Sequence, residues 1–284
     1  MAWPVDGRGR TAPARSVDAM SEQEFHDAYI EAVTEAQMGL LLMLAPPQGL
    51  TQAEARLHQA TYLKYFSFFA WKFPSWLGAI ADRCPHQDVR RTIIEDLVDE
   101  EVGDMEAGGR CHIDILYDEA EACGMSRAEI VATQATPMIV TCVHAFENLA
   151  RTLSWQGSYS AISSLEIMQS EPAVKRRSEM MVEKCTPESI AAFGKAREGN
   201  SLPERTGLSP EELVFQSHHQ YKDQFHGGGG LALLLKYGVT REIQQEMIWA
   251  ATASIGVYIL MRQEIERLAF AAVGREMQPI LRLK

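Results

Sequence analysis

With 284 residues, 46% of them apolar, the chain carries enough hydrophobic material for a large buried core, which excludes wholesale disorder. Its 38 acidic side chains against 27 Lys and Arg give a formal net charge of −11, a surface that repels phosphate backbones and speaks against a nucleic-acid partner. Five cysteines without a CxxC pair argue against a disulfide scaffold or a Cys-rich zinc site and fit a reducing cytoplasm, and no apolar run reaches the roughly 18 residues of a membrane span.

Residues 1–20 are rich in Arg, Pro, Gly and Ala and lack the apolar stretch of a signal peptide, so they read as a flexible extension, with Met20 an alternative start. Residues 21–284 read as a single helical domain. Ser21-Glu-Gln-Glu sets a carboxylate three residues after a capping serine and opens a helix that Pro46-Pro47 stops. Glu31 and Glu35 on it read as surface residues. Thr51-Gln-Ala-Glu opens a second helix through an aromatic block, Tyr62 to Phe73, which Pro74 kinks or ends. His58 and His86 read as peripheral. A third helix, about 87–107, takes its apolar stripe from Ile94, Leu97, Val98 and Met105. Glu101 lies near the centre of that stripe, with Glu95, Asp96 and Glu100 off it. A carboxylate in an oily stripe needs a partner, because burial alone favours its neutral form.

Beyond Gly108-Gly109, a helix over about 111–123 turns His112 inward beside Leu116 and Cys123. Ser126-Arg-Ala-Glu caps a long helix towards Trp155, kinked at Pro137 and carrying His144 and Glu147. The helix from about Tyr159 to Ser170 sets Glu166 beside Ile162 and Leu165. Residues 171–205 read as an insertion with helices near 174–185 and 187–196 and a loop at 199–203. Ser209-Pro210 opens a helix expected to end in the run Gly227 to Gly230, since each glycine costs about 1 kcal/mol in a helix interior. A last helix, Thr240 to about Phe270, is apolar on most sides and reads as the central packing element. Strand periodicity and nucleotide-binding glycine motifs are absent, so the fold class is all-α.

The chemistry-bearing stretch is His219-Gln220-Tyr221-Lys222-Asp223-Gln224-Phe225-His226. Steps of four and three keep His219, Asp223 and His226 within an arc of roughly 60° on a helix, while Tyr221 and Phe225 lie elsewhere. Imidazoles and a carboxylate on one face suit Fe, Mn or Zn; a solvated polar face is the plain alternative. Glu101, His112 and Glu166 supply matching ligands from three other helices. Together the six can hold two ions about 3.5–4 Å apart and leave positions for O2 or substrate. Iron suits oxidative chemistry, because Zn has no redox activity. Tyr65, Phe69, Met138, His144 and Arg151 are candidates for a substrate pocket.

The late His219-x3-Asp223-x2-His226, the central Glu166, and Glu101 followed by His112 resemble the haem-oxygenase-like di-iron oxidases and oxygenases, relatives of the thiaminase II and pyrroloquinoline-quinone synthase superfamily. The resemblance covers roughly residues 22–268. The longer interval between Glu101 and His112 leaves Glu100 as a back-up ligand, and the longer one between Glu166 and His219 marks the insertion. The resemblance implies a bundle of about seven helices and two iron ions that react with O2. It also implies a small amino acid or aliphatic carboxylic acid as substrate, desaturated, cleaved or N-oxygenated in a natural-product pathway. A homodimer is compatible with it. Weaker readings are a metal-free thiaminase-like enzyme using Cys142, a haem oxygenase with His26 as the proximal ligand, and a non-catalytic helical interaction protein.

Overall fold

The computed structural model describes residues 13–43, 47–103, 108–198 and 200–277, apart from the side chains of residues 40–43 and 218–226. Twelve helices are present among these residues: α1 (Glu22–Met43), α2 (Gln52–Arg83), α3 (Gln87–Glu101), α4 (His112–Ala122), α5 (Arg127–Val131), α6 (Pro137–Thr152), α7 (Trp155–Ile167), α8 (Glu171–Lys184), α9 (Pro187–Arg197), α10 (Leu202–Thr206), α11 (Val214–Tyr237) and α12 (Arg241–Ala272). The excess over about seven comes from one-turn pieces and from α8 to α10. No described helix is long and apolar enough to cross a membrane.

Helix α12 is the axis of the bundle and packs against α1, α2, α6 and α7. Its buried Met247, Ala251, Ile255, Met261 and Ile265 keep helical spacing, as expected of a central element. The aromatic block of α2 supplies most of the remaining core. Phe69 lies 5.2 Å from Phe146 of α6, and Trp76 stacks on the same ring at 5.1 Å. This clustering keeps α2 continuous through Pro74. The proline costs the helix about 3 kcal/mol, but Phe73, Trp76 and Leu77 beyond it bury in the same core as Phe66 and Phe69 before it.

The caps expected at Ser21 and Thr51 form, and Thr240, expected only as the start of the last helix, caps it too, each side chain accepting a backbone N–H three residues on. The long helix expected from Ser126 to Trp155 is instead two. Ser126 and Glu129 do form their capping box, yet α5 runs for a single turn. Thr136 is extended (φ −69°, ψ 158°), as steric conflict with Pro137 demands, and it caps the fresh helix α6. The end of the N-terminal stretch is tied down: Arg15 Nη1 donates to the Gly238 carbonyl, and Met20 N–H donates to Gln244 Oε1, both at 2.8 Å. Glu31 and Glu35 dock α8 on α1 through Arg176 and Lys184.

Asp88 fastens α3 to the end of α11. It accepts from the Tyr237 hydroxyl at 2.7 Å and from Lys236 Nζ at 2.5 Å. Burial works against its charge, but Lys236 and Tyr237 outweigh it and hold the carboxyl below the usual aspartate range. A depressed folded pKa stabilises the protein above the unfolded value of about 3.9, and that contribution is lost as pH falls through the lower folded value. The melting temperature of Asp88→Asn is therefore expected to fall below wild type at pH 7 and to converge with it as the pH is lowered through the depressed Asp88 pKa.

Candidate metal centre

Helix α3 decides which carboxylate faces inward. Its sequence pairs apolar residues side by side, Ile93 with Ile94 and Leu97 with Val98, so two phases of the same stripe fit the pattern. The bundle selects Val89, Ile93 and Leu97 for burial and leaves Ile94 and Val98 exposed. The face is thus turned by one residue, about 100°, from the sequence-based expectation. Glu101, placed at the stripe's centre by that expectation, is exposed. Glu100, the back-up, turns inward instead. Its Oε1 lies 2.9 Å from Nδ1 of His112, with both side chains largely buried.

Glu166 of α7 is half-buried. Beside it on α7, burial raises the Tyr159 phenol well above its usual range, and the charges of Asp96 and Glu166 push the same way. Asp96, one helical turn before Glu100, therefore faces the bundle as well, although the sequence placed it off the stripe. Its inward position follows from the same change of phase.

Helix α11 packs against both α7 and α4, the helices that carry Glu166 and His112. It does not end in the glycine run. Gly227 lies directly against α7: a Cβ there would sit 2.6 Å from the Glu166 carbonyl oxygen. The missing side chain lets two backbones touch, and the packing so gained offsets the glycines' low helix propensity. At its other end α11 is fixed by Glu119 of α4, which accepts from Gln216 N–H at 2.9 Å and from Gln59 Nε2 at 2.8 Å. The carboxylate thereby satisfies an orphan donor of the first turn of α11. Burial raises the Glu119 pKa, countered in part by these donors. The side chains of His219, Asp223 and His226 lie outside the described residues. The helix that carries them is clamped between α4 and α7, one residue from the contact at Glu166.

Among the described residues, the other sequence candidates are not gathered in one pocket. Phe69 is buried in the aromatic core. Tyr65 is partly buried at the margin of that core. Arg151 is exposed and paired with Glu147 of its own helix. Met138 is exposed, and His144 lines a shallow apolar groove with Phe68, Trp71 and Val140. Aromatic density on α2 marked core because that helix crosses the centre of the bundle. Cys142 is buried, and burial pushes its thiol pKa up, the wrong direction for a nucleophile.

A model of the family described as iron-containing redox enzymes, of haem-oxygenase-like type, matches residues 60–258. The chain belongs to that family. A pyrroloquinoline-quinone synthase of Pseudomonas aeruginosa is 34% identical over 85 residues, 30% of this chain and 33% of that protein. A 4-aminobenzoate synthase of Chlamydia pneumoniae is 28% identical over 115 residues, 40% of this chain and 49% of that protein. The chain thus matches between a third and a half of these curated relatives' length. Among solved structures, a TenA homologue of Pseudomonas syringae pv. tomato superposes with a TM-score of 0.57 at 12% identity, covering 89% of this chain and 98% of that one. The architecture is the haem-oxygenase-like all-α fold. The family's description fits the donor types present: His112 and Glu100 offer imidazole nitrogen and carboxylate oxygen side by side, and Glu166 lies on the helix that Gly227 presses against, although no three candidate ligands cluster among the described residues.

Proposed function

We propose that this iron-containing redox enzyme is a non-haem di-iron oxidase or oxygenase that uses O2 on a small amino acid or aliphatic carboxylic acid. Glu100, His112 and Glu166, with His219, Asp223 and His226 from α11, are the residues that would hold the two ions. The observation that carries the reading is the buried Glu100–His112 pair at 2.9 Å between α3 and α4, with α4 packed against the helix that bears the His219, Asp223 and His226 spacing. Bound iron would supply the one-electron redox chemistry that O2 activation needs and zinc lacks.

The chain's own residues do the rest. Glu100 sits against His112 Nδ1 and fixes the orientation of the imidazole ring. Glu119 and Gly227 hold α11 in register with α4 and α7. The buried aromatic core closes the bundle on the side of α2 and α6. The names of the two curated relatives, both synthases, support a biosynthetic role, and the charge of −11 supports a small-molecule partner over nucleic acid.

Glu100→Gln and Glu101→Gln separate the two phases of α3. After anaerobic loading with Fe(II), Glu100→Gln is expected to lose most bound iron, and Glu101→Gln to keep the wild-type amount. Equal retention by both variants would contradict the assignment of Glu100. Screening amino acids and fatty acids for O2 uptake by the loaded enzyme is expected to show acceleration by at least one of them.

A further inference from the structure

A second chemical centre lies in a cleft of about 650 Å³ between α2, α9, α10, the start of α11 and α12. The sequence suggested nothing here, because its residues come from five separate stretches. His58, expected to be peripheral, is buried, and its Nε2 lies 3.3 Å from Glu266 of α12. Arg262 stacks over Tyr62 at 4.7 Å, donates to the Tyr258 hydroxyl at 3.1 Å and lies 3.8 Å from Glu266. Arg205, from α10, also lines the cleft, yet its buried Nε and Nη1 have no hydrogen-bond partner among the described residues. Arg197 adds a further guanidinium at the exposed rim. Among the described residues of the cleft, two inner guanidiniums and His58 therefore share one carboxylate, that of Glu266, and Nε and Nη1 of Arg205 are left over. Buried cationic donors without acceptors are costly, and an anion that accepts from them removes the cost. Tyr62, Phe193, Leu202 and Leu213 give the same cleft an apolar wall, and its size is that of a small-molecule site.

We propose that this cleft binds a small amphipathic anion, its carboxylate or phosphate head taken by Arg205 and Arg262 and its hydrocarbon part lying on Tyr62, Phe193 and Leu213. The α9–α10 segment, which supplies Phe193, Arg197 and Arg205, is then the wall that makes the site. Gln59 and Gln216 line the cleft and both bond Glu119, two turns along α4 from His112. The cleft is thus separated from His112 by Glu119 and about 10 Å of α4. Its binding does not depend on iron.

Titration calorimetry of the full, metal-stripped chain tests this with octanoate, monooctyl phosphate and uncharged 1-octanol. Either anion is expected to bind at least about tenfold more tightly than the alcohol, the scale of one charged hydrogen bond, and the tighter of the two identifies the head group. Arg205→Gln is expected to weaken that anion about tenfold or more, leave 1-octanol unchanged, and change the melting temperature of the free chain little, since it removes two buried donors without acceptors along with the attraction to Glu266. Equal binding of anions and alcohol, no binding of any probe, or an Arg205→Gln affinity equal to wild type would overturn the proposal. Normal iron retention beside absent anion binding would overturn it alone and leave the iron reading standing.

Discussion

Gly227→Ala is expected to cost about 1–3 kcal/mol of stability and to strip the protein of most of its iron. The added methyl would stand 2.6 Å from the carbonyl oxygen of Glu166 and 3.0 Å from its carbonyl carbon, both main-chain atoms that cannot rotate away. Helices α7 and α11 must separate, and that shift acts on Glu166 itself and on the residue after His226. Gly228 and Gly229 are the controls, because a Cβ at either meets no atom within 4 Å. Alanine there is expected to be neutral, or to stabilise by about 0.5–1 kcal/mol through helix propensity, with iron content unchanged. Urea unfolding and elemental analysis on the three variants read both effects. A Gly227→Ala protein with wild-type iron would show that the α7–α11 contact does not set the metal centre.

Phe69→Ala carries the largest expected loss of stability, about 3–5 kcal/mol. Its ring lies within 5.2–5.8 Å, centroid to centroid, of Phe66, Phe73, Trp76, Phe146 and Tyr258, which come from α2, α6 and α12. Truncation leaves a cavity where three helices meet, and the surrounding rings are too constrained to fill it. The midpoint of urea unfolding should fall accordingly. A pocket-wall role would predict near-normal stability with altered substrate response, so a small change in the midpoint would return Phe69 to the substrate site.

What the sequence made legible was local. Caps at Ser21 and Thr51 involve residues three apart, and the all-α class follows from periodicity along most of the chain. Long-range choices were hidden. The phase of α3 depends on which of two adjacent apolar residues meets α2 and α4, and Ile93-Ile94 offers both; that ambiguity moved the inward carboxylate from Glu100 to Glu101. The glycine run read as a helix end because Gly227's reason for being glycine, the backbone at Glu166, is 61 residues away. His58 read as peripheral because its partner, Glu266, lies on the last helix. The spacing of His219, Asp223 and His226 remains a sequence observation, carried by a helix whose packing against α4 and α7 is now visible.

The most direct measurement is iron bound per chain after anaerobic Fe(II) loading and desalting, for the wild type beside His112→Ala and Asp223→Ala. The account predicts about two irons in the wild type and a loss of at least one in each variant, with far-ultraviolet circular dichroism unchanged. A wild-type chain that retains no iron, or variants that retain as much as wild type, would contradict it.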